Sequence, residues 1–324
     1  MRASLKALLL GLAISVLLTP AKAQTKLTIM VFQGLQNLPL FAAQTQGFFA
    51  KRGLEVDIKI APTSEELRNG LAEGRYQIVH SAIDNAVAMA EVAKADIAIV
   101  CGGDNSWMEL VVQPDIASVE ALRGKTVIVD APNTAYALQL YDILARGGLK
   151  KGDYEVKVVG ATFRRAQAIR DDKTIAATML NPPFSVVVQK AGLKSLGSAV
   201  KIIGPYQASG GFVMRAWAQQ NEDTLVKYLQ AYVEGVRWSL NPANRDAAVR
   251  LLMDNLKLAE DVAAQSYAVA TGTEGLDKDA QIDLEGFRNV LKLRATHLGT
   301  WGGNPPDPGK YIDLSYYEKA KAGM

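Results

Sequence analysis

The 324-residue chain has one cysteine and two histidines. With Cys101 alone, no internal disulfide can form and no thiolate metal cluster can assemble, so the core must carry stability by packing. Cys101 ends the apolar run IAIVC and reads as a buried strand position. There is no HExxH, no GxSxG elbow and no GxxxxGK[ST] phosphate loop. Asp171-Asp172 reads as a solvated or helix-terminal pair rather than a spaced carboxylate dyad. For His80, at a strand end, a hydrogen-bonding pocket or core role outweighs catalysis; His297 falls on a late helical face. The chain is accordingly read as a non-enzyme, with no catalytic residue, metal ligand or cofactor assigned.

Excess charge of one sign is also lacking. The chain holds 36 Lys and Arg against 33 Asp and Glu, and Arg2, Lys6 and Lys22 are the only charges in residues 1–23. Setting those three aside leaves 33 of each sign, which argues against a nucleic-acid partner. Long apolar runs are confined to one place. Ala7 to Leu18 is apolar, Arg2 and Lys6 precede it, Thr19-Pro20 breaks it, and Ala21-Lys22-Ala23 is a small-x-small site. This is the pattern of a secretory signal peptide over residues 1–23, cleaved before Gln24. Export to the periplasm is the expected consequence.

What remains is dense in short Val/Ile-rich runs alternating with helical periodicity. Strands are expected near 26–32, 55–61, 76–82, 97–102 and 108–113, with helices near 38–50, 64–73 and 84–94. Such alternation marks an α/β fold with a mostly parallel, doubly covered sheet. The pattern then restarts. YEVKVVGATFRRAQAIRDDKTIAATML follows LEVDIKIAPTSEELRNGLAEGRYQIVHS in order and spacing, with Glu55-Val56 and Glu155-Val156 at matching points. Two similar lobes are expected. A strand pair, IIGPY and GFVMRAW, returns the chain to the first lobe. Helices follow at 222–240, 242–254, 258–271, 279–297 and 313–322, and Tyr228, Tyr232 and Trp238 recur at a packing period.

In open α/β sheets, ligands bind beyond the carboxyl ends of the strands. The turns there are Gln33–Asn37, His80–Asp84, Asp130–Thr134 and Leu180–Pro183, and none carries Lys or Arg. A helix starting after Asn37, and another at Asn133-Thr134, could hold an anion on bare backbone amides; ordinary capping explains the same residues. In GGDNSWMEL, Asp104 and Trp107 form either a ligand platform or a tight turn over a core tryptophan, and an ionised Asp84 or Asp104 in the site would favour an amine or an N–H-bearing heterocycle over an anion.

The ordered series LPLFAAQTQGFFAKRGLEVDI, LRNGLAEGRYQIVHSAIDNAVA, SVEALRGKTVIVDAPNTAYALQLYDILARGGL and TMLNPPFSVVVQKAGLKSLG resembles the periplasmic solute-binding proteins of ABC importers, in the nitrate/sulfonate/taurine/thiamine-precursor group. The resemblance implies a type II periplasmic binding protein fold: two Rossmann-like lobes joined by two crossovers, with a helical C-terminal region. Lobe 1 would comprise 24–112 and 207–324, and lobe 2 113–206, with crossovers near 111–116 and 204–212. By position it implies ligand contacts at Gln33, Asn37, His80, Ser81, Asn133, Thr134, Asn181, Gln207 and Ser209. It implies capture of a small sulfonate, carboxylate or related solute by a monomer, delivered to an inner-membrane ABC permease. The same fold also hosts menaquinone- and thiamine-pathway enzymes, and a periplasmic sensor with a degenerate cleft is a further alternative.

Overall fold

The computed structural model describes residues 24–324, so the expected signal peptide lies outside the described residues. The chain begins β1 (Thr25–Val31), α1 (Leu38–Thr45), β2 (Leu54–Ile60), α2 (Ser64–Ala72), β3 (Ile78–Ala82), α3 (Asp84–Glu91), β4 (Ile97–Gly102). It continues β5 (Glu109–Val112), β6 (Thr126–Val129), α4 (Ala135–Arg146), β7 (Glu155–Val158), α5 (Thr162–Asp171), β8 (Ile175–Leu180), α6 (Phe184–Lys190), β9 (Lys194–Ser198), α7 (Ala199–Ile203). After β10 (Ser209–Met214) it is helical: α8 (Arg215–Gln220), α9 (Glu222–Leu240), α10 (Arg245–Leu256), α11 (Glu260–Ala270), α12 (Leu284–Leu298) and α13 (Ser315–Ala322). Among the described residues no helix is long and apolar enough to cross a membrane.

Two five-stranded sheets form, ordered β2-β1-β3-β10-β4 and β7-β6-β8-β5-β9. They repeat one plan. In each, a parallel trio is built from consecutive βα units, and one strand arrives from the other sheet and runs antiparallel. That strand is β10 between β3 and β4, and β5 between β8 and β9. Strand β4, last in the first sheet's order, and β8, at the centre of the second, are buried along their whole length, as strands covered on both faces must be. The amphipathic helix α9 closes the first sheet's core, burying Tyr228 and Tyr232 as its periodicity predicts; Trp238 packs at the margin.

The switch between sheets lies earlier than the sequence suggested. Glu109–Val112 was expected in the first lobe, but Glu109 pairs with Leu180 and Val112 with Ala177 in the second sheet. The first crossover is therefore the GDNSWM stretch itself, residues 103–108, and the second is 199–208. Apolar content marks a strand but does not say which sheet receives it.

Glycine at 102 and 103 lets the chain cross here. A Cβ on Gly102 would sit 1.9 Å from the Gln281 carbonyl oxygen, and one on Gly103 would sit 2.5 Å from Ser209 Oγ. The close approach is made by this chain's own backbone, not reserved for a ligand. Gly102→Ala is expected to lower the unfolding free energy by about 1–3 kcal/mol, because backbone must move to relieve the overlap. Urea denaturation checks this, and an unchanged midpoint would contradict the packing described.

Candidate functional site

The C-terminal ends of both sheets face a shared cavity of about 420 Å³. Its floor is formed by the two crossovers. Asp104 and Ser209 meet there: the Ser209 hydroxyl donates to Asp104 Oδ2, and the Asp104 amide donates to Ser209 Oγ at 3.1 Å. The Ser106 amide donates to Asp104 Oδ1 at 3.0 Å. Burial pushes the Asp104 carboxyl up to about 6, against the pull of these donors. Gln207 knits the same junction, donating to the Asp104 and Ser209 carbonyls and accepting from the Asp283 amide.

The walls come from helix starts. On one side lie Thr63, Ser64, Glu65 and Arg68 of the α2 start, with Ser81 and Ala82 at the end of β3 and Asn85 in the first turn of α3. Opposite lie Asn133 to Tyr136 at the α4 start, and Gly160, Ala161, Thr162 and Arg165 at the α5 start. Phe32, Trp107, Met108 and Tyr136 supply the apolar surface. The sides touch at one edge, where Asn181 Nδ2 donates to Gln36 Oε1 at 3.3 Å and the Leu35 amide to the Pro182 carbonyl at 3.3 Å.

Of the residues singled out from sequence, Ser81, Asp104, Trp107, Asn133, Thr134, Asn181 and Ser209 line this cavity. Gln33, Asn37, His80 and Gln207 do not. Neighbours on a strand point to opposite faces, so His80 and Ser81 cannot both face the cleft. Ser81 takes the cavity, and His80 enters the core, its ring 4.3 Å from that of Tyr232 and 5.8 Å from that of Tyr228. Burial holds its imidazole down at about 3, so it is neutral. Gln207 and Ser209 lie two apart but only Ser209 has entered β10; Gln207 is consumed by the junction. Asn37 is fully buried and braces its own turn, donating to the Phe32 carbonyl at 2.7 Å, while Phe32 and Gln36 reach the cavity from that loop. The bare helix start envisaged after Asn37 does not open on the cavity.

Two arginines were missed, and they overturn the expectation of walls without cationic side chains. Arg68 donates to Asn85 Oδ1 at 2.8 Å. Arg165 donates to the Gly160 carbonyl at 2.5 Å and to Thr162 Oγ1 and the Met179 carbonyl at 3.3 Å, and its guanidinium lies 4.8 Å from the Tyr136 ring centroid. Each sits a turn inside a helix, not in the preceding loop. Helical side chains lean toward the N-terminus, so a long side chain there overhangs the helix start. The sequence signal was present: Arg68 and Arg165 fall early in the second helix of each repeated unit.

Asp84 proves to be outside the cavity lining. It opens α3 and forms a buried bidentate pair with Arg294 of α12, at 2.9 and 2.8 Å; Arg294 also donates to the Asn133 carbonyl at 3.2 Å. Among the described residues, no group of three or more His, Cys, Asp and Glu is arranged to hold a metal ion.

Two five-stranded sheets exchanging one strand each, around a cavity floored by the crossovers, define the periplasmic binding protein fold. Solved structures carry the same architecture. A Bordetella bronchiseptica protein superposes with TM-score 0.78 at 21% identity, covering 93% of this chain and 98% of that one. The nitrate-binding protein NrtA of Synechocystis PCC 6803 gives 0.76 at 14%, covering 93% and 89%. A desulfurization enzyme shares the fold at TM-score 0.65. The model of the NMT1-like family matches residues 20–253, and the chain belongs to that family. A Brachyspira hyodysenteriae protein named as an ABC transporter periplasmic binding protein is 22% identical over 226 residues. That match covers 65% of this chain and 64% of the relative, less than two thirds of its length.

Proposed function

We propose that this chain is the periplasmic solute-binding component of an ABC importer, capturing a small organic carboxylate or sulfonate between two lobes. The lobes correspond to 24–102 with 209–324, and to 109–198. The observation that carries the reading is the cavity. It is lined by helix starts of both lobes and by both crossovers, so a solute inside contacts both lobes at once and is bound best when they close on it. Its size suits a small molecule. The family membership and the relative's name support delivery to an inner-membrane permease.

Binding without turnover is part of the proposal. The one histidine near the site is neutral, buried and turned away, and Asp104 is engaged by Ser209 and Ser106 rather than aimed at a second acid or nucleophile. No cofactor is required by the cavity's chemistry. The chain is proposed to act as a monomer and without nucleic acid.

The test is a thermal-shift panel of small carboxylates, sulfonates and their uncharged amides on residues 24–324. A compound at 100 times its Kd stabilises by about 2.7 kcal/mol, raising Tm by roughly 5 °C. Ala131→Trp, filling the cavity from its half-exposed rim, is expected to abolish that rise while leaving the unliganded Tm close to the parent. A silent panel, or an undiminished rise in Ala131→Trp, would refute the assignment.

A further inference from the structure

Four helices start at the cavity, and three of those starts carry a side-chain cap or an acid in the first turn. Thr63 caps α2, accepting from the Glu66 amide, and Glu65 and Glu66 occupy its first turn. Ile83 offers α3 no side-chain cap, but Asp84 stands in its first turn, paired with Arg294. Thr134 caps α4 and donates its own hydroxyl to Asp130 at 2.6 Å. The fourth, α5, differs. Its N-cap is Ala161, whose methyl group cannot accept a hydrogen bond, and its first turn holds no acid. A ten-residue helix then leaves its first amides and its positive dipole end directed at the cavity rim.

Arg165 is the second, independent sign. It is 1% exposed, it lines the cavity, and among the described residues it pairs with no carboxylate. Its partners are neutral carbonyls and a hydroxyl, and its Nε has no partner among the described residues. A buried guanidinium without a counter-charge is costly, and an anion arriving beside it would form charge-assisted bonds in a water-poor setting. Arg68 does not offer the same: Asp84, Glu65 and Asp130 all bear on it electrostatically. Asp104 and Asp130 place carboxyl groups at the floor and on the α4 side, each already holding a hydroxyl.

We infer that the α5 N-terminus and Arg165 together form the anion subsite, and that the solute carries one acidic group there and an uncharged hydrogen-bonding end toward Ser81 and Asn85. This rests on the solute-binding reading above and sharpens it. The anion subsite lies neither after Asn37 nor at Asn133-Thr134, where the sequence pointed. The Tyr136 ring, beside the guanidinium and tied by its hydroxyl to Asn181 Oδ1 at 2.9 Å, would wall the acid's apolar body.

Bromide is the direct probe, because its anomalous scattering locates an anion without knowledge of the solute. Crystals of residues 24–324 soaked in bromide are expected to show their strongest cavity peak within hydrogen-bond reach of the Thr162 amide and the Arg165 guanidinium. Arg165→Gln should reduce that peak several-fold, and Arg68→Gln should leave it. Ala161→Asp keeps Arg165 but places a carboxylate at the helix start, and should also remove it. In solution, an acid that stabilises the parent should bind Arg165→Gln about 10- to 100-fold more weakly, while its amide loses little. A strongest peak beside Arg68 or at the α2 or α4 start, no cavity peak, or an acid indifferent to Arg165→Gln and Ala161→Asp would each overturn the subsite. A panel silent in the parent protein would instead remove the solute-binding reading beneath it.

Discussion

Arg294→Met is expected to lower the unfolding free energy by about 3–5 kcal/mol. Both members of the Asp84–Arg294 pair are almost fully buried, at 3% and 2% exposure, and both carboxylate oxygens are used. Removing the cation leaves both oxygens of the buried Asp84 carboxyl without their hydrogen-bonded partner. It also frees the Asn133 carbonyl, so α12 no longer ties the α3 start to the α4 loop. The pair itself is a different quantity. Desolvation offsets much of its attraction, so the double variant Asp84→Leu/Arg294→Met should recover most of the lost stability. Chemical denaturation of both single variants and the double variant checks this. Additive losses would show that the two residues do not act as a pair.

The second large effect is in pH dependence, where two buried groups work against each other. Each pH unit between a folded and an unfolded pKa is worth about 1.4 kcal/mol. His80 falls from 6.5 to about 3 on folding, so the unfolded chain takes up the proton first. Its contribution is complete above pH 6.5 and is lost as pH falls toward 3. Asp104 rises from 3.8 to about 6, so the folded chain holds the proton longer. Its contribution is complete below 3.8 and is lost as pH rises toward 6. Between those limits the slopes oppose. His80→Gln removes one slope, so its stability relative to the parent should improve by roughly 3 kcal/mol from pH 7 to pH 4. Asp104→Asn removes the other, and its stability relative to the parent should worsen by roughly 2 kcal/mol over the same range. Urea unfolding at four pH values suffices. Profiles parallel to the parent's would mean that these groups are not buried as described.

The alternation of strands and helices, the restart near residue 125, and the packing face of α9 were legible because each is written in local periodicity. The site was legible only in part, for three identifiable reasons. Strand sidedness separates His80 from Ser81, and a strand-end residue cannot be assigned to cavity or core without its register. Asn37 and Gln207 are polar because buried backbone at a turn and at a crossover must be satisfied, a need that looks in sequence like ligand recognition. Arg68 and Arg165 were passed over because only the loops before helices were read, whereas long side chains one turn further in overhang those loops. The destination of β5 depends on long-range pairing that apolar content does not encode.

A crystal structure of residues 24–324 with the panel's strongest stabiliser tests the central claim most directly. That compound is expected in the cavity between the sheets, with its acid at the α5 start and its body against Tyr136, touching residues of both lobes. Density on an outer surface, or contact with one lobe alone, would contradict it.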